Sequence, residues 1–278
     1  MTEVALLSLV EVAIKAAFAG GKAIMEVYAG PFEVELKTDR SPVTLADRQA
    51  HTAIERALAS TGLPVLSEEG AHLPFQQRQS WEHYWLVDPL DGTKEFVKRN
   101  GEFAVNIALM QRDELPGGVL GNATPIAGVI HGPVHDVLYF AWKGGGAHRQ
   151  HAAATRAAVP AYERVAMSTR LPVAEPRAAF TILASRSHRS PETEAFIQRK
   201  REENGNVEFA FLGSALKFGL MAEGAADVYP RYAPTMEWDT AAGQIICSEA
   251  GKQLIDVTTD APMRYNKNEL VNNWFIVQ

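Results

Sequence analysis

Apolar residues recur along the chain with two periods, one typical of helices and one typical of strands. Residues 44–60 carry an apolar side chain at every fourth position, and Gly62 and Pro64 follow as helix-ending residues. This pattern predicts an amphipathic helix whose buried face consists of Ala46, Ala50, Ile54 and Leu58.

Large apolar side chains occupy every second position from Phe103 to Leu109, which predicts a half-buried strand. The next residues, 112–125, are rich in Pro and Gly and are expected to form an exposed hairpin extension. Interleaved strand and helix patterns indicate an α/β protein. Further strands are predicted at 32–36, 63–66, 84–88, 126–131, 136–142, 180–184, 207–211, 227–229 and 274–277, and further helices at 4–29, 191–203, 214–223 and 239–250.

The length and composition are those of a globular protein with a full core. The 278 residues are enough for one large domain or two, and an alanine-rich stretch at 151–161 predicts a linker between halves of about 1–150 and 160–278. A formal charge of −6 argues against a nucleic-acid groove. Cys247 is the single cysteine, so no intrachain disulfide can form, which fits a reducing compartment.

The first predicted helix is the segment that most resembles a membrane span. Glu11, Lys15 and Lys22 interrupt its apolar run, and the chain start lacks the basic residues and cleavage site of a signal peptide. We therefore expect a buried amphipathic helix, no integral membrane segment and a cytoplasmic location, with peripheral membrane association left open.

The segment with the clearest chemistry begins where the predicted strand at 84–88 ends. Asp88 ends the strand, because Pro89 cannot continue a strand ladder, and Asp91 opens a Gly92-Thr93 turn. The carboxylates of Asp88 and Asp91 are therefore expected to come together near the carboxyl end of the strand. Charges about 4 Å apart repel by roughly 4 kcal/mol at an effective dielectric of about 20. A bound divalent cation would turn this repulsion into attraction, and Mg²⁺ is the natural candidate because no Cys or His lies nearby. Backbone N–H groups of Gly92 and Thr93 suit a phosphate. The alternative is an ordinary surface turn.

The run from Asp88 to Thr93 resembles the D-P-[LI]-D-G-T signature of the Mg²⁺-dependent, lithium-sensitive phosphatase superfamily that includes inositol monophosphatase and fructose bisphosphatase. Its continuation, from Lys94 to Phe103, is similar to the 3'(2'),5'-bisphosphate nucleotidase branch. The resemblance covers essentially the whole chain. It implies the layered α-β-α-β-α sandwich of this superfamily, as a single catalytic domain over 1–278 with a metal-binding first half and a substrate-binding second half.

Two acidic residues outside this segment match the superfamily pattern. Glu68 follows a short predicted strand, and without the resemblance it would be interpreted as a solvated surface charge. Asp239 belongs to a Trp238–Gly243 run that resembles the second signature, W-D-x-A-A-G, and it is also predicted to be the N-cap of the following helix. The resemblance implies that both carboxylates bind metal.

Asp47 lies in the first turn of the helix predicted at 44–60, where an acid interacts favourably with the helix dipole. The resemblance instead places its carboxylate beside Thr93, where it orients the hydroxyl group that helps to activate the attacking water. Both interpretations remain open from the sequence.

Substrate contacts are implied in the second half. The runs Ser185–His188 and Gly213–Phe218 look like segments that bisphosphate nucleotidases use for the nucleoside and its 5'-phosphate. Lys217 and Arg231 supply fixed positive charge, which a second phosphate needs and inositol monophosphate does not. The alternative is a set of solvated surface side chains.

The implied reaction is hydrolysis of 3'-phosphoadenosine 5'-phosphate to AMP and phosphate. One Mg²⁺ would be held by Glu68, Asp88 and the Leu90 carbonyl and a second by Asp88, Asp91 and Asp239, with a third near Glu68 left open. Rival interpretations are an inositol monophosphatase, a broad sugar-phosphate phosphatase, or a non-catalytic sensor of bisphosphate nucleotides. The oligomeric state is not predicted. The implied substrate-binding set is Glu68, Asp91, Gly92, Thr93, Ser185, His188, Gly213, Ser214, Lys217, Arg231 and Asp239.

Overall fold

The computed structural model describes residues 1–36, 42–71, 73–116, 119–174, 177, 179–184 and 190–278. Helices alternate with strands along these residues, as the sequence pattern predicts. The helices are α1 (Glu3–Tyr28), α2 (Leu45–Leu58), α3 (Phe75–Arg78), α4 (Thr93–Val97), α5 (Ala161–Ala166), α6 (Pro191–Asn204), α7 (Leu216–Glu223) and α8 (Glu237–Glu249).

The strands fall into one large sheet and several smaller ones. The large sheet has the order β3-β4-β5-β6-β7-β8-β9, in which β3 and β4 are parallel and the other neighbours antiparallel. The strands of the structure are β1 (Val34–Leu36), β2 (Pro42–Thr44), β3 (Val65–Ser67), β4 (His83–Asp91), β5 (Ala104–Leu115), β6 (Val119–Gly132), β7 (Val137–Trp142), β8 (Gly146–His151), β9 (Thr169–Arg170), β10 (Phe180–Ala184), β11 (Val207–Phe211), β12 (Tyr229–Arg231), β13 (Leu254–Asp256), β14 (Ala261–Pro262) and β15 (Phe275–Val277).

Helices α1 and α2 cover one face of the large sheet. The predicted apolar face of α2 is fully buried there, and Thr44 begins the helix as its N-cap. A Cβ at Gly20 of α1 would lie 2.7 Å from Ile54 Cδ1, so the glycine lets the two helices approach closely. Among the described helices, α1 alone is long and apolar enough to span a membrane, but ten of its residues are buried in this fold.

Helices α7 and α8 cover the opposite face. Helix α8 approaches β6 so closely that a Cβ at Gly128 would lie 2.7 Å from the Ala242 carbonyl oxygen. The small side chains of Ala241 and Ala242 are buried at this contact, as the sequence suggests. Cys247, also on α8, is fully buried, and its thiol lies 3.4 Å from the Phe218 carbonyl oxygen.

A second layer of strands lies beyond α7 and α8. Four strands form it in the order β12-β15-β13-β14, and a bridge from Ile182 to Val228 joins it to the parallel pair β10-β11. Helix α6 closes the far side, where Phe196 and Ile197 pack with Ile182 and Val228. The order helix, sheet, helix, sheet, helix confirms the predicted layered α/β sandwich.

Strand β5 is buried on both faces, so the prediction of a half-buried strand is wrong. Val105 and Ile107 face α1 and α2, while Ala108 and Met110 face the cluster around α8. The alternation of large and small apolar residues reflects two packed faces rather than one wet face.

Several predicted boundaries differ from the structure, and three of these differences bear on the candidate site. Strand β4 continues through Pro89 to Asp91, because the ladder is interrupted there and needs no N–H from proline. Helix α8 begins at Glu237, so Asp239 is not its N-cap. Strand β12 lies two residues later than predicted, at Tyr229–Arg231.

Candidate active site

A bulge in β4 brings Asp88 and Asp91 together. Asp88 pairs with Asn106 and Asp91 with Ala104, so Pro89 and Leu90 lie opposite the single residue Val105. In a regular strand, side chains three positions apart point to opposite faces, and one extra residue reverses this relation. The Leu90 N–H donates to Asp88 Oδ1 at 3.0 Å, which fixes the first carboxylate.

Asp239 reaches the same place from α8. It is the third residue of the helix, and its Oδ2 accepts the N–H of the N-cap residue Met236 at 2.8 Å. The N–H of the N-cap residue thus orients the Asp239 carboxylate. The sequence predicts Asp239 itself as the N-cap, which would use a different bond. Oxygens of Asp88, Asp91 and Asp239 all lie within 4.8 Å of one another.

The electrostatics of this carboxylate cluster favour a cation. Burial, followed by repulsion from Glu68, Asp91 and Asp239, raises the pKa of Asp88 well above its usual value. Burial and the neighbouring Asp91 raise the pKa of Asp239 in the same way. One buried and two half-buried carboxylates in this arrangement fit a hard divalent ion such as Mg²⁺, which would offset the repulsion.

Glu68 lies beside this cluster because β3 and β4 run parallel. Ser67 pairs with Val87, and the Glu68 N–H donates to the Val87 carbonyl at 3.1 Å, so Glu68, just after β3, lies level with Asp88 of β4. The Glu68 carboxyl group lies within hydrogen-bond range of Asp88. The sequence-based alternative of an isolated surface charge does not fit this position.

Asp47, in the first turn of α2, accepts hydrogen bonds from both Thr44 and Thr93. Its Oδ2 accepts the N–H and the hydroxyl of Thr44, each at 2.7 Å, and its Oδ1 accepts the Thr93 hydroxyl at 3.1 Å. The side chain is 2% exposed, and burial raises the pKa of Asp47 despite these donors. Asp47 is therefore both an acid in the first turn of α2 and a hydrogen-bond partner of Thr93, and its role in activating water stays a prediction.

A pocket beside the carboxylate cluster carries positive charge. Lys217 Nζ is buried and donates to the Ser214 carbonyl at 2.7 Å, and burial lowers the pKa of Lys217 to about 8. The Arg231 Nε is buried without a hydrogen-bond partner among the described residues. Neither is the solvated surface side chain of the alternative interpretation. The pocket is lined by Asp91, Gly92, Glu95, Gly213, Ser214, Ala215, Lys217, Phe218, Tyr229, Arg231, Thr235, Asp239, Thr240 and Phe275.

Two predicted substrate residues, Ser185 and His188, lie outside the described residues. Their contacts therefore stay predictions.

The structure adds donors that the sequence did not predict. The Asn106 side-chain amide donates to Asp91 Oδ2 at 3.3 Å, and the Ala215 N–H donates to the same oxygen. Both favour the ionised carboxylate and so oppose the effect of burial, which raises the Asp91 pKa. A polar residue inside the otherwise apolar segment 104–110 of β5 was the available signal for Asn106. A backbone donor such as Ala215 leaves no signal in side-chain chemistry.

The chain belongs to the inositol monophosphatase family, since the sequence model of that family matches residues 6–275. It is similar to curated bisphosphate nucleotidases: the 3'(2'),5'-bisphosphate nucleotidase CysQ of Escherichia coli (strain K12) is 40% identical over 253 residues, which cover 90% of each chain. These findings confirm the resemblance inferred from the sequence.

Solved structures agree with this assignment. CysQ from Bacteroides thetaiotaomicron, a bacterial member of the inositol monophosphatase family, is 45% identical, with a TM-score of 0.88 and coverage of 99% of this chain and 98% of that one. The IMPase of Thermotoga maritima shares the fold, with a TM-score of 0.70, 24% identity and coverage of 95% and 89%.

Proposed function

We propose that the protein hydrolyses the 3'-phosphate of 3'-phosphoadenosine 5'-phosphate, giving AMP and phosphate, with Mg²⁺ as cofactor. The observation that carries the proposal is the carboxylate cluster of Asp88, Asp91 and Asp239 next to a pocket with Lys217 and Arg231. Metal-binding acids and fixed cations side by side suit a substrate with two phosphates. The similarity to CysQ nucleotidases supports the same substrate.

The acidic residues would hold two Mg²⁺ ions. Glu68, Asp88 and the Leu90 carbonyl suit one ion, and Asp88, Asp91 and Asp239 suit the other, with a third near Glu68 left open. Bound Mg²⁺ supplies a water of lowered pKa and neutralises charge that develops on the phosphate oxygens.

Thr93 and Asp47 form a proton-accepting pair in this proposal. The Thr93 hydroxyl lies 3.1 Å from Asp47 Oδ1 and 3.3 Å from the Leu90 carbonyl oxygen. When it donates to Asp47, its oxygen keeps lone pairs that can accept a hydrogen bond from the attacking water. Glu68 would orient the same water from the other side. Backbone N–H groups of Gly92 and Thr93 would hold the phosphate during transfer.

Recognition of the nucleotide would come from the second half of the chain. Arg231 and the remaining donor of Lys217 would bind the 5'-phosphate, Gly213 and Ser214 would contact the ribose phosphate, and Ser185 and His188 the adenosine. We further propose a single catalytic domain over residues 1–278 and a cytoplasmic location, consistent with the burial of α1.

A substrate panel tests the proposal. Phosphate release is measured with 3'-phosphoadenosine 5'-phosphate, 3'-AMP and inositol 1-phosphate, each with and without Mg²⁺. The expected result is a higher kcat/KM for the bisphosphate, loss of activity without Mg²⁺, and inhibition by Li⁺. Equal or better turnover of inositol 1-phosphate would favour a broader phosphatase, and nucleotide binding without phosphate release would favour a sensor.

A further inference from the structure

The loop of residues 212–215 packs closely against Glu102, Glu95 and the Gly92 turn, beside the carboxylate cluster. A Cβ at Gly213 would lie 2.7 Å from the Glu102 carbonyl oxygen and 2.9 Å from Glu95 Cγ. A Cβ at Gly92 would lie 3.2 Å from Ser214 Cβ. The loop therefore has no room to shift toward the Asp91-Gly92 turn. Hydrogen bonds must keep it from moving away from the turn.

Two charged side chains hold this loop. Glu102 Oε2 accepts the Gly213 N–H at 2.8 Å, and Lys217 Nζ donates to the Ser214 carbonyl at 2.7 Å. Ser214 has a φ of +50°, a left-handed conformation that costs a non-glycine residue roughly 1–2 kcal/mol, so the neighbouring bonds must maintain it.

The loop matters because its next residue contacts the cluster. The Ala215 N–H donates to Asp91 Oδ2, and this donor can aim correctly only while Gly213 and Ser214 keep their conformation. Removing a group that hydrogen-bonds to a metal ligand from behind typically lowers metal affinity by about 10–100-fold.

Glu102 is itself rigidly placed. Its side chain is 9% exposed, and its N–H donates to Asn100 Oδ1 at 2.9 Å after the left-handed turn at Gly101, which has a φ of +77°. A carboxylate buried to this extent must be used, because burying an unpaired charge is costly. Glu102 is not one of the residues proposed to bind metal or substrate.

We infer that Glu102 is a positioning residue for the metal site: its carboxylate holds Gly213, and through the loop it aims the Ala215 N–H at Asp91. The inference rests on the proposed metal site. It does not require Glu102 to touch metal or nucleotide, and it predicts that an uncharged acceptor of the same shape can replace the carboxylate.

The test is a Mg²⁺ titration by calorimetry on the substrate-free protein. Glu102→Ala should weaken Mg²⁺ binding by about tenfold or more. Glu102→Gln keeps an oxygen for the Gly213 N–H and should stay within about threefold of the wild type. In the phosphatase assay, kcat/KM of the alanine variant should fall at low Mg²⁺ and recover when Mg²⁺ is raised.

Glu249 provides a matched control. Its carboxylate accepts the N–H groups of Gly144 and Gly146, at 3.0 and 2.9 Å, in a turn that is not part of the pocket. Glu249→Ala removes the same kind of bond and should leave Mg²⁺ affinity unchanged. If Glu102→Ala does not fold, Glu102→Asp retracts the carboxylate by one carbon and should weaken Mg²⁺ binding measurably.

Wild-type Mg²⁺ affinity in Glu102→Ala, or in Glu102→Asp where the alanine variant is unfolded, would overturn the inference while leaving the proposed function intact. Equal losses in Glu102→Ala and Glu102→Gln would also overturn it, since charge rather than the hydrogen bond would then be responsible. Absence of Mg²⁺ binding by the wild type would overturn both the inference and the proposed function.

Discussion

Asp88 and Asp91 differ in how their charge is supported, although only two residues separate them. The Asn106 amide and the Ala215 N–H both donate to Asp91 Oδ2, and the Lys217 ammonium favours its ionised form. Asp88 instead faces three acidic neighbours, and its pKa is raised further. The ionised form of Asp91 is therefore better supported by its neighbours than that of Asp88, which has more to gain from a bound cation.

The Thr93–Asp47 pair should behave as a unit in catalysis. Thr93→Val removes the hydroxyl, and we expect kcat to fall about 100-fold or more with little change in substrate affinity, because the group acts on water. Asp47→Asn should have a similar effect. The double variant should be little worse than either single one in steady-state kinetics, and additive losses would show that the two residues act separately.

Arg231 should govern the preference for two phosphates. Removing one charge-assisted hydrogen bond costs about 1.5–3 kcal/mol, so Arg231→Met should lower kcat/KM for 3'-phosphoadenosine 5'-phosphate roughly 10–150-fold. The effect on 3'-AMP, which lacks the 5'-phosphate, should be small. Arg231 is a cleaner choice than Lys217, whose ammonium also holds the Ser214 carbonyl. Equal losses on both substrates would place Arg231 outside the 5'-phosphate site.

At the scale of elements, α1 docks on β6 through a buried histidine. His131 Nδ1 lies 3.2 Å from the Ala17 carbonyl, its ring packs edge-on against Phe18, and its Nε2 has no hydrogen-bond partner among the described residues. Burial lowers the pKa of His131 to about 4. The contact therefore requires the neutral ring.

This contact predicts a pH dependence of stability. Below pH 6.5 the unfolded chain protonates His131 while the folded protein does not, so the free energy of unfolding decreases as the pH falls toward about 4. Between pH 7 and 5 this histidine should contribute a loss of about 2 kcal/mol. Urea denaturation of His131→Gln at pH 7 and pH 5 should give free energies of unfolding that lack this pH-dependent loss. The exposed His151 supplies the control, since His151→Gln should retain it.

Local patterns predicted elements well and their ends poorly. The face of α2, the strand β10 and the helix α6 follow from periodicity within a single segment. The bulge that carries β4 past Pro89 depends on pairing with β5, which no local pattern contains. The acids proposed to bind metal lie in recognisable motifs, whereas Glu102 contacts Gly213 across 111 positions of sequence and could be found only in the folded chain.

At the scale of the whole molecule, the carboxylate cluster joins the two layers of strands. Asp88 and Asp91 belong to the large sheet, Asp239 lies in the first turn of the helix packed between the sheets, and Arg231 ends β12 of the second sheet. A cation bound here would hold parts from both halves of the chain together.

Mg²⁺ should therefore raise the thermal stability of the protein. At a concentration 100 times its Kd, a ligand that binds only the folded state stabilises by about 2.7 kcal/mol. For a chain of this size we expect an increase in Tm of about 5–10 °C. Asp88→Asn, which loses a ligand proposed for both ions, should show little increase, and it should keep less than about a tenth of the wild-type kcat. An equal Tm shift in that variant would contradict the proposed ligand set.

The burial of Cys247 has a practical consequence for spectroscopy. Its thiol is fully buried on α8, and burial raises its pKa, so little reactive thiolate is available to a probe in solution. An engineered surface cysteine would consequently take up a fluorophore or spin label alone, with the native residue left in place. One such label on α6 and another on α2 would report the distance between the outermost layers directly, on an otherwise unaltered protein.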